Sequence, residues 1–351
     1  MNDLAGELNP LFTDSVANWF GSGVIGASAL PTIAASDFVS SDTTDRLRTC
    51  VYLSCGLCYG LGEATVLDET TYVSPSVAVA NGLVILAWAG TDEQLNFICS
   101  TDGGTTFGTK YTSDETASDE VNGGPVLTAQ GGNVYVAWTG TDSKLNVAQL
   151  VFDGATVTGL TSQVTLGQES QAGPGMASFN ENLYIAWAGH GNNHLNILAA
   201  TNGTAFGTDV YTSTAENTYA NPALAVHNGN LYIAWAGTSA GLNVAQVVVD
   251  GSGNPTGLAP QTTLQGISVN NVSLASLNGT LYLAWTDQAS GQLNMLSSLD
   301  NGATFANQYT TARTQGCPSA WPGVALCPSG QTLYVSWQTT NVCVAQFNPG
   351  S

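Results

Sequence analysis

From residue 60 onward the chain alternates short apolar runs with clusters of Gly, Asn, Asp, Ser and Thr, and nowhere there do apolar residues recur with the period of an amphipathic helix. Pro125 to Gln130 predicts a short strand, Gly131-Gly132 a tight turn, and Asn133 to Trp138 a strand rich in β-branched and aromatic residues. Gly140-Thr141-Asp142-Ser143 reads as a loop, Leu145 to Phe152 as a third strand, Asp153-Gly154 as a turn and Gln163 to Leu166 as a fourth strand. The middle strands are continuously apolar, so both of their faces are expected to be covered by neighbouring units.

This pattern recurs along the chain. Leu231-Tyr232-Ile233-Ala234-Trp235 returns as Val134-Tyr135-Val136-Ala137-Trp138, Leu183-Tyr184-Ile185-Ala186-Trp187, Leu281-Tyr282-Leu283-Ala284-Trp285 and Leu333-Tyr334-Val335-Ser336-Trp337, with a looser copy ending at Trp88. The six tryptophans stand 50, 49, 48, 50 and 52 residues apart, the length of a four-stranded propeller blade. Pro75, Pro125, Pro174 and Pro222 each precede one of them by 13 residues.

The units alternate in type after their third strand. Units two and four carry Gly159-Leu160 through Leu166 and Gly257-Leu258 through Leu264, and the last unit ends after Val342 to Phe347 without a fourth strand. Gly60 to Leu67 matches those two segments, with the same Gly-to-Leu interval of 7 residues. The expected fold is therefore all-β: a six-bladed β-propeller of four-stranded antiparallel blades over 59–351, closed by an N-terminal strand in the last blade. Residues 1–58 read as an extension packed on the propeller.

Composition narrows the partners. With 5 Lys+Arg against 25 Asp+Glu and a net charge of −20, the chain cannot neutralise a phosphate backbone, so nucleic acid is excluded, and an acidic membrane surface is disfavoured. The 43% hydrophobic content supports a core, and no apolar run reaches the roughly 18 residues of a membrane helix. The N-terminus lacks the pattern of a classical signal peptide. Seven cysteines cluster near the two ends, at 50, 55, 58, 99, 317, 327 and 343. A disulfide from Cys343 to Cys50, Cys55 or Cys58 would tie the chain ends together and contribute roughly 4 kcal/mol. Cys317 and Cys327 could pair locally, and Cys99 reads as a buried thiol. Such pairing points to an extracellular or cell-surface location.

Ser100-Thr101-Asp102-Gly103-Gly104-Thr105-Thr106-Phe107 and Ser298-Leu299-Asp300-Asn301-Gly302-Ala303-Thr304-Phe305 resemble the Asp-box, Ser-x-Asp-x-Gly-x-x-aromatic, of sialidase-like β-propellers; Thr201 to Phe206 is a degraded copy. The resemblance implies a structural turn between third and fourth strands in which the carboxylate accepts backbone N–H groups and the aromatic ring packs inward. It also implies what a sialidase would need, including three arginines on the substrate carboxylate. Arg46, Arg48 and Arg313 are the only arginines, and none lies in blades one to four, so a non-catalytic member is expected.

Loops between second and third strands project from the face opposite these turns. Each follows a tryptophan and precedes Leu-Asn, which assembles Trp88, Asp92 and Asn96; Trp138, Asp142 and Asn146; Trp187, His190 and Asn196; Trp235 and Asn243; and Trp285, Asp287 and Asn294. An indole can stack on the C–H face of a pyranose while carboxylate and amide bond vicinal hydroxyls. The same tryptophans also read as interblade packing, and the asparagines as partners of turn backbone. His190 and His194 bracket one loop without a recognised metal-ligand spacing. No cofactor is expected, although a structural calcium ion would suit the acidic loops. These features point to a non-enzymatic, lectin-like module that binds glycans or glycosylated surfaces at several weak sites made useful by multivalency. The alternatives are a structural or adhesive subunit, homo-oligomeric through the N-terminal extension, and a glycoside hydrolase acting on a neutral sugar.

Overall fold

The computed structural model describes residues 60–118, 124–200, 203–238, 241–265, 269–287, 292–311, 323–338 and 341–349, all within the unit Tyr59–Pro349. The extension 1–58, with Cys50, Cys55 and Cys58, lies outside the described residues.

The described chain opens with β1 (Gly60–Leu61) and β2 (Thr65–Thr70), and blade 1 follows as β3 (Ser76–Ala80), β4 (Leu83–Ala89), β5 (Gln94–Ser100) and β6 (Tyr111–Thr116). Blade 2 is β7 (Val126–Gln130), β8 (Asn133–Thr139), β9 (Lys144–Asp153) and β10 (Thr156–Glu169). Blade 3 is β11 (Gly175–Phe179), β12 (Asn182–Ala188), β13 (His194–Ala200) and β14 (Tyr211–Asn217). Blade 4 is β15 (Ala223–His227), β16 (Asn230–Ala236) and β17 (Gly241–Val249), with an outer strand in two pieces, β18 (Pro255–Leu258) and β19 (Thr262–Gln265). Blade 5 is β20 (Val269–Leu277), β21 (Thr280–Asp287), β22 (Leu293–Ser298) and β23 (Ala306–Thr310). Blade 6 takes β24 (Val324–Ser329), β25 (Thr332–Gln338) and β26 (Asn341–Asn348) from the end of the chain and its outer strand from the beginning.

The N-terminal strand closes the ring as expected. Gly60 pairs with Asn348, Leu61 with Phe347, Thr65 with Val344 and Val66 with Cys343, all antiparallel. Inner strands touch in the cyclic order β3, β7, β11, β15, β20, β24 and back to β3. Across that last seam Ser336 Oγ donates to Pro75 O at 3.0 Å. Four inner strands begin directly after Pro75, Pro125, Pro174 and Pro222, where a residue without an N–H removes no ladder bond.

The hydrophobic core is six cores, one per seam, and each contains one tryptophan. Trp138 lies with Ile85, Phe97 and Leu127 between blades 1 and 2, and Trp88 lies with Val342, Val344 and Tyr334 between blades 6 and 1. The middle strands are buried on both sides, which explains their unbroken apolar sequence. One strand differs from its expected bounds. β10 begins at Thr156, directly after the Asp153-Gly154 turn, rather than at Gln163. Much of it is exposed and polar, so hydrophobicity did not mark it.

On the face formed by the third-to-fourth-strand turns, the exposed Asp102 and Asp300 carboxylates are hydrogen-bonded within their own turns. Asp300 Oδ1 accepts Ser298 Oγ–H at 2.8 Å and Thr304 N–H at 2.8 Å, and Oδ2 accepts Thr304 Oγ1–H at 2.6 Å. Phe107 and Phe305 pack against seam cores. The cysteine expectations divide. Cys99 is a buried free thiol, and burial pushes its pKa up to about 11. Cys327 is also a free thiol, which corrects the expected pairing with Cys317: it packs against the core shared with blade 1. Cys343 is buried, and its expected partners lie outside the described residues. No helix among the described residues is long and apolar enough to cross a membrane.

Candidate functional site

The face opposite those turns is built from the second-to-third-strand loops and the connections that lead from one blade to the next. Each loop closes on a backbone bond: Gly90 N–H to Gln94 O at 2.8 Å, Gly140 N–H to Lys144 O at 2.8 Å, Gly189 N–H to His194 O at 2.9 Å. Inside the loop Asp142 Oδ1 accepts Lys144 N–H at 3.1 Å, and Asp92 and Asn192 do the same for Gln94 and His194 at 3.2 and 3.0 Å. This fold-over explains the glycine, because a Cβ on Gly140 would lie 2.8 Å from Asp142 Oδ1. Glu93, Ser143 and Asn193 adopt positive φ, and their carbonyls accept Ala117, Ser170 and Thr218 N–H at 2.8, 2.8 and 2.9 Å. The connections leaving blades 1, 2 and 3 are thereby fixed to the loops of the blades they leave.

Within this frame the expected site residues separate by burial. Trp88, Trp138, Trp187, Trp235 and Trp285 are 0–3% exposed, so their rings fill the seams and offer no face to a ligand. Asn96, Asn146, Asn196, Asn243 and Asn294 are 4–7% exposed and stand directly opposite those tryptophans in register. Their amide oxygens accept the hydroxyls of Thr112, Thr165, Thr212, Thr263 and Thr310 on the outer strands at 2.6–2.7 Å. Their Nδ2 groups donate back into the loops, as from Asn96 to Gln94 O at 2.9 Å. The Trp rings are thus interblade packing, and the Asn amides pin the strands of their own blade. In blade 6 Cys343 takes the place of the asparagine.

Asp92, Asp142 and His190 are exposed on this face, one per blade, and Asp287 is half-buried at the end of β21. Asp142 Oδ2 lies 3.4 Å from Lys144 Nζ and His190 Nδ1 3.8 Å from Glu169 Oε2, both pairs solvent-exposed and energetically minor. His194 Nδ1 is 2.8 Å from Ser213 O, engaged with its own blade. Among the described residues no group of three or more His, Cys, Asp or Glu gathers as a metal site.

Two aromatic residues that the sequence pattern did not single out stand out on this face. Tyr72 is 58% exposed and Tyr219 is 54% exposed, each three residues before an inner-strand proline in Thr71-Tyr72-Val73-Ser74-Pro75 and Thr218-Tyr219-Ala220-Asn221-Pro222. The connections that carry them enter blades 1 and 4, which are three blades apart. Thr71 Oγ1 donates to Ala89 O at 2.7 Å, which sets Tyr72 beside the end of β4. At the seams entering blades 2 and 3 the same place is taken by Ser118 and Gln171, whose N–H groups donate to Thr139 O and Ala188 O. The shared Thr-Tyr-x-x-Pro string, repeated 147 residues apart, was the available signal.

Neither family models nor characterised proteins match the chain. Solved structures do. A Hadza microbial sialidase superposes with TM-score 0.55 at 16% identity over 80% of this chain, which spans 66% of that protein. AofleA from Arthrobotrys oligospora gives TM-score 0.61 at 10% identity, covering 82% of this chain and 87% of that one. A lectin from Aleuria aurantia in complex with Fucα1-6GlcNAc gives TM-score 0.55 at 12% identity, covering 81% and 98%. At these identities the likeness is one of fold: this chain is similar to six-bladed propellers.

Proposed function

We propose that the protein is a non-enzymatic, carbohydrate-binding propeller that engages glycans through the face of its second-to-third-strand loops, outside the cell or at its surface. The observation that carries this reading is the pair of exposed tyrosines, Tyr72 and Tyr219, on a face whose exposed carboxylates, such as Asp92, use one oxygen in their loop and leave the other for a partner. A phenol ring against sugar C–H groups and a carboxylate against vicinal hydroxyls are the two contacts a neutral sugar requires. The net charge of −20 favours neutral over acidic sugars. Similarity of fold to the Aleuria aurantia lectin, whose bound ligand is a fucosylated disaccharide, supports the same reading. We further assign the Ser100 and Ser298 turns as structural Asp-boxes of a non-catalytic member of the sialidase-like propellers. The shifted carboxylates support this assignment: Asp102 and Asp300 are both held below the ordinary range by hydrogen bonds within their own turns, the reverse of a proton donor.

The test is the purified full chain on an array of neutral and acidic glycans. Binding to neutral glycans, with no released sugar after prolonged incubation, is the expected result. Silence across the neutral set, or release of free sugar, overturns the reading.

A further inference from the structure

The six seams are not equivalent. Between blades 1 and 2, Trp138 Nε1 donates to Thr116 O at 3.2 Å, at the end of β6. Thr116 stands opposite Gln94, and the same register puts Asn217 opposite His194 in blade 3 and Thr70 opposite Asn341 in blade 6. Thr70 and Asn217 are therefore the equivalents of Thr116 toward Trp88 and Trp235. Neither bond forms: among the described residues Trp88 Nε1 and Trp235 Nε1 are buried without a hydrogen-bond partner. Two buried acceptors without a partner lie on the strands that flank the same seams, Gln338 Oε1 at the end of β25 and Asn217 Oδ1 at the end of β14. Buried donors and acceptors in folded proteins are met by protein, water or ligand.

Tyr72 and Tyr219 follow Thr70 and Asn217 by two residues, so the exposed tyrosines and the unpartnered indoles coincide, twice, three blades apart. Where Ser118 stands in that place, the indole N–H is satisfied by protein. We propose that these two seams, between blades 6 and 1 and between blades 3 and 4, are the sugar sites. The ring of a neutral sugar lies on the exposed tyrosine, and binding opens the mouth of the seam so that the sugar hydroxyls accept from the buried indole N–H and donate to the buried amide oxygen, which the closed seam leaves unmet. The propeller is then bivalent, with sites on opposite sides of the ring, rather than binding once per blade. This rests on the carbohydrate-binding reading and narrows it.

The full chain is titrated with methyl α-L-fucoside, methyl β-D-galactoside and methyl α-D-mannoside by calorimetry, and the indole N–H resonances are followed in proton–nitrogen correlation spectra. The expected result is two equivalents bound per chain for at least one glycoside, with the Trp88 and Trp235 resonances shifting and that of Trp138 unmoved. Tyr72→Ala and Tyr219→Ala each weaken one site about tenfold, and the double variant weakens both. Trp235→Phe keeps most of the apolar ring, removes the donor, and weakens the site between blades 3 and 4 alone. Binding that ignores the tyrosine variants, or that shifts Trp138, overturns the seam assignment while leaving the carbohydrate reading intact. Absence of binding to every glycoside here and to every glycan on the array overturns both.

Discussion

Asp92 and Asp102 stand at the two ends of β5, on opposite faces of blade 1. Asp102 accepts four hydrogen bonds: Ser100 Oγ–H at 2.7 Å, Thr105 N–H at 3.1 Å, Thr106 N–H at 2.9 Å and Thr106 Oγ1–H at 2.6 Å. Asp92 accepts one, from Gln94 N–H at 3.2 Å. Both oxygens of Asp102 are engaged by its own turn, three bonds on Oδ1 and one on Oδ2, whereas Asp92 uses only one oxygen and keeps the other for an outside donor. The more conspicuous motif is thus the one whose carboxylate is bonded within its own turn. One face of the propeller holds its charges in closed turns, and the other presents sparsely bonded carboxylates beside exposed tyrosines.

The strongest way to break this contrast is to ask whether the repeated tryptophans belong to the face or to the core. Trp187→Ala should destabilise the propeller by about 3–5 kcal/mol, because it empties a seam filled by a large aromatic ring. Urea unfolding followed by circular dichroism measures it; a loss below about 1 kcal/mol would return the ring to the list of ligand contacts. Asn196→Ala comes next, at about 1–3 kcal/mol, since it leaves Thr212 Oγ1 without its buried acceptor. A stable Asn196→Ala variant with impaired sugar binding would reverse the assignment of that residue.

The ring and its closure were legible because they follow from a period of backbone and apolar residues, and pairing Gly60 to Leu67 with the last strand needed only the count of strands per unit. The tryptophans and asparagines were legible as a repeat but not in their role. A ring that recurs in every blade serves the interface between blades, and Trp88 stands opposite Asn96 as Trp138 stands opposite Asn146; only the partner of the indole N–H differs between them. Tyr72 and Tyr219 break the repeat, and their exposure depends on a connection whose path is set by tertiary bonds such as Thr71 Oγ1 to Ala89 O. Cys327 was misread for a related reason: sequence spacing suggested Cys317, but the pleat of β24 turns its sulfur into the seam with blade 1.

Acid titration separates the two faces at a smaller cost. Hydrogen bonds from Thr106, followed by the Ser100 hydroxyl, hold the Asp102 carboxyl down from an ordinary 3.8 to about 2, and Thr304 and Ser298 do the same for Asp300. A folded pKa below the unfolded one stabilises the protein above the unfolded value and loses that contribution as pH falls toward the folded value. The wild-type melting temperature should therefore drop between about pH 4 and pH 2. Asp102→Asn with Asp300→Asn should flatten that part of the curve, with a lower melting temperature at neutral pH. A double variant with an unchanged acid limb would mean that these turns do not hold the charge.

The smallest effect on stability, and the sharpest on the assignment of sites, comes from comparing Asp92→Ala with Asp142→Ala. Both residues are exposed and each contributes a single backbone contact within its loop, so both variants should unfold within about 0.5 kcal/mol of wild type. Their consequences for binding should differ. Asp92 lies in the loop that follows Ala89, the acceptor of Thr71 Oγ1 next to Tyr72, whereas Asp142 lies in the loop that follows Thr139, the acceptor of Ser118 N–H, where Trp138 is satisfied by Thr116 and Ser118 replaces the tyrosine. Calorimetry with the methyl glycosides should show Asp92→Ala weakening one of two sites severalfold and Asp142→Ala leaving both unchanged. Equal losses in the two variants would spread the sites around the whole ring and remove the distinction between seams, because a carboxylate beside an unoccupied seam has no sugar hydroxyl to accept.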